Sequence, residues 1–407
     1  MSTILVTTSP ARGHLYPLVP TLLELRARGH RVHVRTLAGE VALLESLGLE
    51  ASPMAPAIEG RALDDWRAKN PLQAVGLAFT TWLERAAHEL PDLRAAIESV
   101  QPDVLFIDVN SWGALAAAEA SGLPFAVFSP YFLNVRAPGR PPFGLGLAPA
   151  TGVLGRLRDA LLRLVTGLGT RSYLGRLNAM RAEVGLPALA GFEQLTAPAH
   201  RVLAYTAEPF EYTHGGWPEN VRLVGPGIWE PRSSPAAGEQ EDRRPLVLVT
   251  CSTEFQDDGA LIQTALDALE GQDVEVVATT AALDPAGFRA LANAKVVRYA
   301  AHGPLLRRAV AVICHGGMGI TQKALTAGVP VCVVPWGRDQ LDVGRHVELA
   351  GAGVMVPRGR LGVDTLRTAV QQTRSSRAGA ERVARAFAQS GGAPMAADIL
   401  ENMGARR

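Results

Sequence analysis

Two series of short apolar runs, separated by a stretch without periodicity, constrain the fold of this chain more than any other feature. In the first series the runs are residues 4–8, 32–36, 104–107 and 125–128, and helical patterns lie between them. Apolar runs that alternate with helical segments are typical of a parallel sheet covered by helices on both faces. The first part of the chain is therefore predicted to be a doubly wound α/β domain.

The alternation restarts in the second half of the chain. Its runs are residues 246–250, 274–280, 296–300, 309–314, 329–335 and 354–357. Residues 229–244, rich in Pro, Ser, Gly and charge, are typical of a linker. We therefore predict an α/β fold with two Rossmann-like domains and a cleft between them. Their bounds are 1–228 and 245–385, with a last helix at 386–407 that packs back toward the N-terminal domain.

Residues 131–195 break the alternation. Residues 136–149 are crowded with Pro and Gly, and residues 154–181 form a long helical pattern of Leu and Arg. Loops of this composition are more often mobile and site-forming than structural. The segment is therefore predicted to shape a ligand site.

Charge and hydropathy exclude several classes of partner. The 40 basic and 39 acidic residues leave a net charge of +1, so no overall field attracts nucleic acid or anionic lipid. The apolar runs fall far short of the ~18 residues that a membrane helix needs. The N-terminus has no signal-peptide pattern, and the three cysteines have no metal-ligand spacing. A cytoplasmic protein without a metal, a membrane or a nucleic-acid partner is expected.

Ligands of doubly wound sheets bind beyond the carboxyl ends of the strands. His14 follows the first predicted strand, and Asp108 follows the run at residues 104–107. If these strands are neighbours, the carboxylate can fix the imidazole tautomer and leave the other ring nitrogen free as a general base. The alternative is that His14 and Asp108 only cap the helices that follow them.

A second candidate site follows the run at residues 309–314. Its sequence is His315-Gly316-Gly317-Met318-Gly319-Ile320-Thr321, in which small residues at a helix N-terminus leave backbone N–H groups open to an anion. Ser252 and Thr253 follow another strand and can add two hydroxyls. A tight turn is the alternative for the glycine motif, and helix capping is the alternative for Ser252 and Thr253. Neither GxGxxG nor a P-loop motif occurs, which counts against a dinucleotide dehydrogenase and a P-loop NTPase.

Taken together, these pieces resemble a known family. The stretch HGGMGITQKALTAGVPVCVVPWGRDQLDVGRHVELAGAG, from His315 to Gly353, is similar to the nucleotide-sugar signature of the family 1 glycosyltransferases. These GT-B enzymes decorate antibiotics, plant metabolites and xenobiotics. The likeness covers almost the whole chain, and the bacterial natural-product branch is the most similar in style.

The resemblance implies an inverting, metal-independent transfer of a sugar from UDP or TDP, with no cofactor. It implies that His14 is the general base and that Asp108 orients it. The donor would be bound by these residues: Ser252, Thr253, His302, His315, Gly316, Gly317, Gly319, Thr321, Asp339 and Gln340. Lys323 stands where many relatives carry a glutamate for the ribose hydroxyls, which leaves uridine and thymidine donors both open.

The acceptor side is predicted from aromatic residues in the loops and the insertion of the N-terminal half. They are Trp66, Phe79, Trp82, Trp112, Phe132 and Phe143. They favour a hydrophobic acceptor such as a polyketide or a phenol, although core packing is the alternative for each. Two other functions stay open, a nucleotide-sugar 2-epimerase and a non-catalytic helper of a partner transferase. The chain is expected to be a monomer or a homodimer.

Overall fold

The structure, a computed structural model, describes residues 1–150, 152–212, 216–231, 244–289 and 291–405. Most of the predicted linker, residues 232–243, lies outside this range. Two parallel sheets organise the described chain, one in each half. Helices flank the sheets, so the α/β fold with two Rossmann-like units is confirmed. No described helix is both long and apolar enough to span a bilayer.

The sheet of the N-terminal half has the strand order β3-β2-β1-β4-β5-β6-β7 and is parallel throughout. Its strands are β1 (Thr3–Thr7), β2 (Arg31–Thr36), β3 (Glu50–Pro53), β4 (Val104–Asp108), β5 (Phe125–Ser129), β6 (Arg201–Ala204) and β7 (Val221–Leu223). Strands β3, β6 and β7 were not predicted. The sequences of β3 (EASP) and β7 (VRL) contain no apolar run, and β6 (RVLA) contains one of only three residues.

The sheet of the C-terminal half has the order β10-β9-β8-β11-β12-β13 and is also parallel. Its strands are β8 (Leu246–Thr250), β9 (Glu275–Thr279), β10 (Ala294–Val297), β11 (Ala309–Cys314), β12 (Val331–Val333) and β13 (Gly353–Met355). All six lie in or overlap predicted runs. The largest offset is at β10, which begins two residues before the predicted run.

The helices cover both faces of each sheet. In the N-terminal half they are α1 (Arg12–Leu15), α2 (Val19–Ala27), α3 (Val41–Ser46), α4 (Pro56–Glu59), α5 (Pro71–Val100), α6 (Trp112–Ser121) and α7 (Gly152–Glu183). In the C-terminal half they are α8 (Gly259–Leu269), α9 (His302–Arg308), α10 (Met318–Thr326), α11 (Gln340–Leu349), α12 (Val363–Ser375), α13 (Arg377–Gln389) and α14 (Gly392–Gly404). Helix α14 packs on α2 and adds Leu400 to the core of the N-terminal half.

The strand order of each sheet reverses at one point, and the candidate site residues follow the strands there. In the N-terminal half β1 pairs with β4, with Thr7 beside Ile107. In the C-terminal half β8 pairs with β11, with Thr250 beside Cys314. A crevice opens at such a reversal because the helices on its two sides cover opposite faces of the sheet. The predicted catalytic pair and the predicted donor-binding motif therefore each lie at the mouth of a crevice.

Candidate active site

A cavity of about 2320 Å³ is lined by residues from both halves of the chain. Ligand pockets commonly measure roughly 300–1,000 Å³, so this cleft has room for two substrates at once. His14 lines it from the N-terminal half, and His315 lines it from the C-terminal half. The two motifs predicted from separate strands therefore open into one cavity.

His14 and Asp108 form a hydrogen-bonded pair. The distance from His14 Nδ1 to Asp108 Oδ2 is 2.7 Å, and the carboxylate is fully buried. Asp108 Oδ1 accepts two further hydrogen bonds, from Ser9 Oγ at 3.0 Å and from the Asn110 backbone N–H at 2.8 Å. When the carboxylate accepts a hydrogen bond from Nδ1–H, the ring proton stays on Nδ1. The lone pair of His14 Nε2 can then take up a proton from another group. The predicted pairing is present, and Asp108 also closes the turn before α6.

The charge of Asp108 sets the basicity of His14. Burial alone lowers the pKa of an imidazole, but the negative charge and hydrogen bond of Asp108 outweigh that effect, and the pKa of His14 is raised. A raised pKa makes the neutral imidazole a stronger base.

Asn110 and Tyr131 extend this network, and neither was predicted as a site residue. The Tyr131 hydroxyl donates to Asn110 Oδ1 at 2.5 Å. This bond turns the amide nitrogen of Asn110 toward His14 Nε2, which lies 3.5 Å away. Both residues line the cleft beside the base. His14 Nε2, the atom that accepts the proton, therefore faces the amide of Asn110. An acceptor hydroxyl bound at this point can contact both groups.

The glycine motif of the C-terminal half places His315 against the first turn of α10. A Cβ atom at Gly317 would lie 2.4 Å from His315 Nε2, so glycine is needed there. Burial, together with the positive charge of Arg338, lowers the pKa of His315 to about 4, and the ring is neutral at pH 7. Gly319 also lines the cleft and has open space beside it. The helix terminus and the imidazole can together bind an anion.

Two members of the motif lie behind this surface. Gly316 has φ +93° and packs against the side chain of Val333, so it shapes the turn. Thr321 is fully buried, and its hydroxyl donates to the Gly317 carbonyl oxygen at 2.9 Å. Neither residue lines the cavity. The structure gives both a supporting position, so direct donor contact by either stays a prediction.

Ser252, Gln256 and Gln340 form a buried chain of hydrogen bonds. Gln340 Nε2 donates to Gln256 Oε1 at 2.7 Å, and Gln256 Nε2 donates to Ser252 Oγ at 2.8 Å. Gln340 Oε1 accepts from the backbone N–H of Trp336 at 2.6 Å. Both the oxygen and the nitrogen of the Gln340 amide therefore have partners within the protein, and Gln340 also lines the cleft. Thr253 is exposed beside this chain and lines the cleft.

Asp339 is the predicted sugar-binding carboxylate, and it lies on the cleft wall at the start of α11. Burial is the main cause that raises its pKa to about 6. It is therefore mostly ionised at neutral pH and can accept hydrogen bonds from hydroxyls.

His302 and Lys323 meet at a third carboxylate, Glu230, which the sequence did not reveal. Glu230 accepts hydrogen bonds from the backbone N–H of His302 at 3.2 Å, from that of Gly303 at 2.9 Å, and from Lys323 Nζ at 3.2 Å. Burial raises the pKa of Glu230, but the hydrogen bond from the Gly303 N–H and the charge of Lys323 together lower it by more. The net shift of the pKa is therefore downward. Burial lowers the pKa of His302 to about 4, so its ring is neutral.

Five of the six predicted acceptor aromatics line the cleft. Phe79, Trp82 and Trp112 pack together between α5 and α6, with ring centroids 5.3–5.5 Å apart. The three rings therefore pack against one another and also form part of the cleft wall. Trp66 makes an edge contact with Phe255 of the C-terminal half at 4.8 Å. Phe143 lies against Tyr131 at 5.8 Å.

Phe132 is the exception, and its predicted place in the acceptor pocket needs correction. It is fully buried and stacks on His346 of α11, with ring centroids 3.6 Å apart. Tyr212 stacks on the other face of the same imidazole, also at 3.6 Å. Phe132 is therefore part of the packing between the two halves and does not line the cleft.

The Pro/Gly-rich segment is anchored to the C-terminal half, whereas the sequence predicted a mobile loop. Asp342 of α11 accepts the backbone N–H of Gly144 at 2.6 Å and that of Gly146 at 2.7 Å. Arg345 of α11 donates to the Gly146 carbonyl oxygen at 2.9 Å. Sequence patterns could not show this, because the partners lie almost two hundred positions apart. The loop thus joins the acceptor wall to the helix that begins after Asp339.

A second contact between the halves involves Arg338. Its guanidinium donates two hydrogen bonds to the carboxylate of Asp65, both at 3.0 Å, and a third to Glu254 at 2.8 Å. Arg338 has φ +56°, an uncommon conformation for a residue other than glycine. Because Arg338 precedes Asp339, this pair connects the acceptor-side segment at Asp65 to the donor side.

Comparisons with known proteins agree with this geometry. Residues 263–405 match the family described as erythromycin biosynthesis protein CIII-like, C-terminal domain. The chain is 32% identical to 4'-demethylrebeccamycin synthase of Lentzea aerocolonigenes over 98% of this chain and 99% of that protein. The chain belongs to the family 1 glycosyltransferases, in their bacterial natural-product branch.

Solved structures of this glycosyltransferase fold superpose along the whole chain. The calicheamicin glycosyltransferase CalG4 has a TM-score of 0.78 at 20% identity, covering 100% of this chain and 99% of that one. The glycosyltransferase VinC, solved in complex with dTDP, has a TM-score of 0.72 at 22% identity, and both chains are fully covered. These structures show the shared fold, and the 32% identity to 4'-demethylrebeccamycin synthase shows that the protein is a nucleotide-sugar glycosyltransferase of natural-product pathways. This activity replaces the epimerase and helper alternatives.

Proposed function

We propose that this glycosyltransferase inverts the anomeric configuration as it moves a sugar from a nucleotide diphosphate to a hydroxyl of a hydrophobic natural product. The observation that supports this most is the placement of His14. Its Nδ1 is held at 2.7 Å by a fully buried carboxylate, and the imidazole lines the same cleft as the anion-binding turn at His315. A base and a leaving-group site then share one cavity.

In the proposed reaction, the acceptor hydroxyl lies at His14 Nε2 and the donor diphosphate at His315. The acceptor oxygen forms a bond to the anomeric carbon while His14 takes the hydroxyl proton. The bond from that carbon to the phosphate oxygen breaks, and its electron pair leaves with the nucleotide diphosphate. A single displacement of this kind inverts the configuration. His14 then returns its proton to the solvent.

The leaving group carries growing negative charge, and the C-terminal half supplies groups that can stabilise it. The N-terminus of α10 presents backbone N–H groups, and the neutral His315 adds a ring N–H. We propose that these donors suffice without a metal ion. Within the described ranges, no three His, Cys, Asp or Glu side chains are grouped so that they could hold a metal.

The donor is proposed to be a TDP- or UDP-sugar. VinC was solved with dTDP, which makes thymidine diphosphate the first probe. On the acceptor side, the wall of Phe79, Trp82 and Trp112 favours an apolar aglycone such as a polyketide or a phenol.

The proposal can be tested with TDP- and UDP-hexoses against phenolic, polyketide and free-sugar acceptors, with and without EDTA. The expected result is transfer to phenolic or polyketide hydroxyls, unaffected by EDTA. NMR of the product should show the anomeric configuration opposite to that of the donor. Retention of configuration or loss of activity in EDTA would contradict the mechanism. Turnover of free sugars alone would contradict the acceptor class.

A further inference from the structure

Arg85 of α5 is a buried cation without a carboxylate partner. The residue is only 8% exposed, and it lines the cleft. Its Nε donates to the carbonyl oxygen of Arg61 at 2.9 Å, and Nη2 donates to the same oxygen. Within the described part of the chain, no Asp or Glu forms an ion pair with Arg85. Arginines buried this deeply are usually paired, because an unpaired charge is costly to remove from water.

Glu89, one turn further along α5, could pair with Arg85 but binds elsewhere. Its side chain is buried, and Oε2 accepts the backbone N–H of Gly113 at 2.9 Å, at the start of α6. Burial is the main cause that raises the pKa of Glu89 to about 8, so this carboxyl group is mostly protonated at neutral pH. It therefore supplies little negative charge to balance the guanidinium.

The other nearby carboxylates also have partners of their own. Glu254 accepts a hydrogen bond from Arg338 at 2.8 Å, and Asp108 is paired with His14. Burial lowers the pKa of Arg85, and the neighbouring carboxylates do not make up for this effect. A guanidinium is so basic that it stays protonated at neutral pH even when its pKa is lowered. Arg85 therefore keeps an unbalanced positive charge at the cleft wall.

Three N–H groups of Arg85 remain available to a ligand. A guanidinium has five N–H groups, and the Arg61 carbonyl oxygen takes one from Nε and one from Nη2. Two remain on Nη1 and one on Nη2. Nη1 is not among the fully buried polar atoms that lack a partner, so it is open to the cleft. Such an edge can bind a carboxylate through two parallel hydrogen bonds.

Arg85 stands at the end of the aromatic wall. Phe79 and Trp82 precede it on α5 within two turns, and Trp112 of α6 packs against both rings. All four residues line the cleft, and Arg85 is the last residue of α5 to do so. An aglycone that stacks on these rings can therefore reach the guanidinium with a group at its edge.

The rest of the acceptor side is also basic. Of the described residues of the N-terminal half that line the cleft, six are Arg or Lys and four are Asp or Glu. The basic residues are Arg12, Lys69, Arg85, Arg136, Arg163 and Arg171. An excess of one charge in a cleft attracts ligands of the opposite charge.

We propose that Arg85 binds an anionic group of the acceptor, so that the aglycone is an aromatic molecule with a carboxylate, or an equally acidic oxygen, in addition to the hydroxyl that receives the sugar. This proposal rests on the proposed acceptor-binding role of the cleft. Arg85 binds and orients the aglycone and takes no part in the proton transfer. A neutral aglycone of the same shape leaves the guanidinium unpaired and binds more weakly.

Two matched probes test the proposal. A hydroxynaphthoate and the hydroxynaphthamide of the same substitution pattern share their rings and hydroxyl, and at pH 7 only the naphthoate is charged. Their affinities are measured by fluorescence titration in the presence of TDP. The wild type is expected to bind the naphthoate roughly tenfold or more tightly than the amide, the effect of one charge-assisted hydrogen bond.

Variants of Arg85 separate its charge from its contact with Arg61. Arg85→Gln keeps a donor for the Arg61 carbonyl oxygen but removes the charge, so the preference for the naphthoate should fall to about twofold or less. Arg85→Lys keeps the charge without the planar fork and should retain a reduced preference. A residue that only holds Arg61 in place would instead change the affinities for both probes equally. Arg94→Gln, exposed on the same helix and away from the cleft, is the matched control and should keep the wild-type preference.

Equal binding of the two probes by the wild type, or a preference that survives in Arg85→Gln, would overturn the proposal. Binding of neither probe would overturn it as well, because the site is proposed for aromatic acceptors of this kind. The wild-type comparison decides even if Arg85→Gln fails to fold, and Arg85→Lys then tests the residue itself. Transfer from a TDP-sugar to a neutral phenol is measured separately. If that transfer proceeds while the naphthoate gains no affinity over the amide, the anion site fails and the proposed function stands.

Discussion

Replacement of Asp108 by Asn removes the charge that makes His14 basic while keeping the shape of the side chain. The asparagine oxygen can still accept from Ser9 Oγ and the Asn110 N–H, but its amide nitrogen then faces His14 Nδ1, which lies 2.7 Å from the carboxylate in the wild type. Two N–H groups cannot bond to each other. The imidazole is therefore expected to move its proton to Nε2, the atom that must act as the base.

The size of the effect follows from two contributions. A hydrogen bond to a charged group is worth roughly 1.5–3 kcal/mol, which corresponds to about a 10- to 150-fold loss in rate. Loss of the correct tautomer lowers the rate further. The total loss in rate should therefore approach the factor of about 10²–10⁴ that a general base contributes. The pH dependence shifts as well. Without the Asp108 charge, burial still lowers the pKa of His14 while Glu254 and Asp339 still raise it, so the pKa should fall from its raised value.

The assay is the pH profile of kcat and kcat/KM between about pH 5 and about pH 9, where histidine titrates. In the wild type, activity should be lost as the pH falls through the raised pKa of His14, because the protonated ring cannot accept a proton. In Asp108→Asn this acidic limb should lie at lower pH, and TDP affinity should be unchanged. Because Asp108 acts through His14, the double variant with His14→Ala should be no slower than His14→Ala alone. An unshifted acidic limb, or additive losses, would refute the reasoning.

Three further substitutions test other contacts of the site. Gly317→Ala places a Cβ atom 2.4 Å from His315 Nε2, so titration calorimetry should show TDP affinity weakened roughly tenfold or more, the loss of one charge-assisted hydrogen bond; unchanged affinity would contradict the anion site. Asp65→Asn should lower the free energy of unfolding in urea by roughly 1–3 kcal/mol, because Arg338 loses one of its two charged partners and keeps only Glu254, and equal stability would show that this contact is incidental. Gly113→Ala should destabilise by roughly 1–3 kcal/mol or more, since its Cβ would lie 2.0 Å from a carbonyl oxygen of α5; a wild-type melting temperature would contradict that close approach.

The sequence predicted those features that depend on local pattern and on the rules of parallel sheets. Apolar runs marked all six strands of the second sheet, because buried parallel strands are apolar on both faces. The pairing of His14 with Asp108 was predicted on the condition that their strands are neighbours, and in the structure β1 pairs with β4. The sequence did not predict β3, β6 and β7. The edge strands β3 and β7 contain no apolar run, and the apolar run in β6 is only three residues long.

Contacts between the two halves could not be predicted from one sequence. Phe132 looked like a ligand-binding aromatic because nothing in its neighbourhood shows that it stacks on His346, more than two hundred positions away. The same holds for Asp65 and Arg338, which are 273 positions apart. The position of Asn110 beside His14 could not be predicted either, because the bond from Tyr131 that turns its amide toward His14 depends on the folded loop.

The proposed mechanism places a general base on the N-terminal half of the cleft and a leaving-group site on the C-terminal half. His14→Ala tests it most directly, with turnover and TDP binding measured on the same preparation. The account predicts that transfer falls by about 10²–10⁴ while the calorimetric affinity for TDP stays within about twofold of the wild type. A variant that keeps more than about a tenth of the wild-type turnover, or that loses TDP affinity in parallel with turnover, would contradict it.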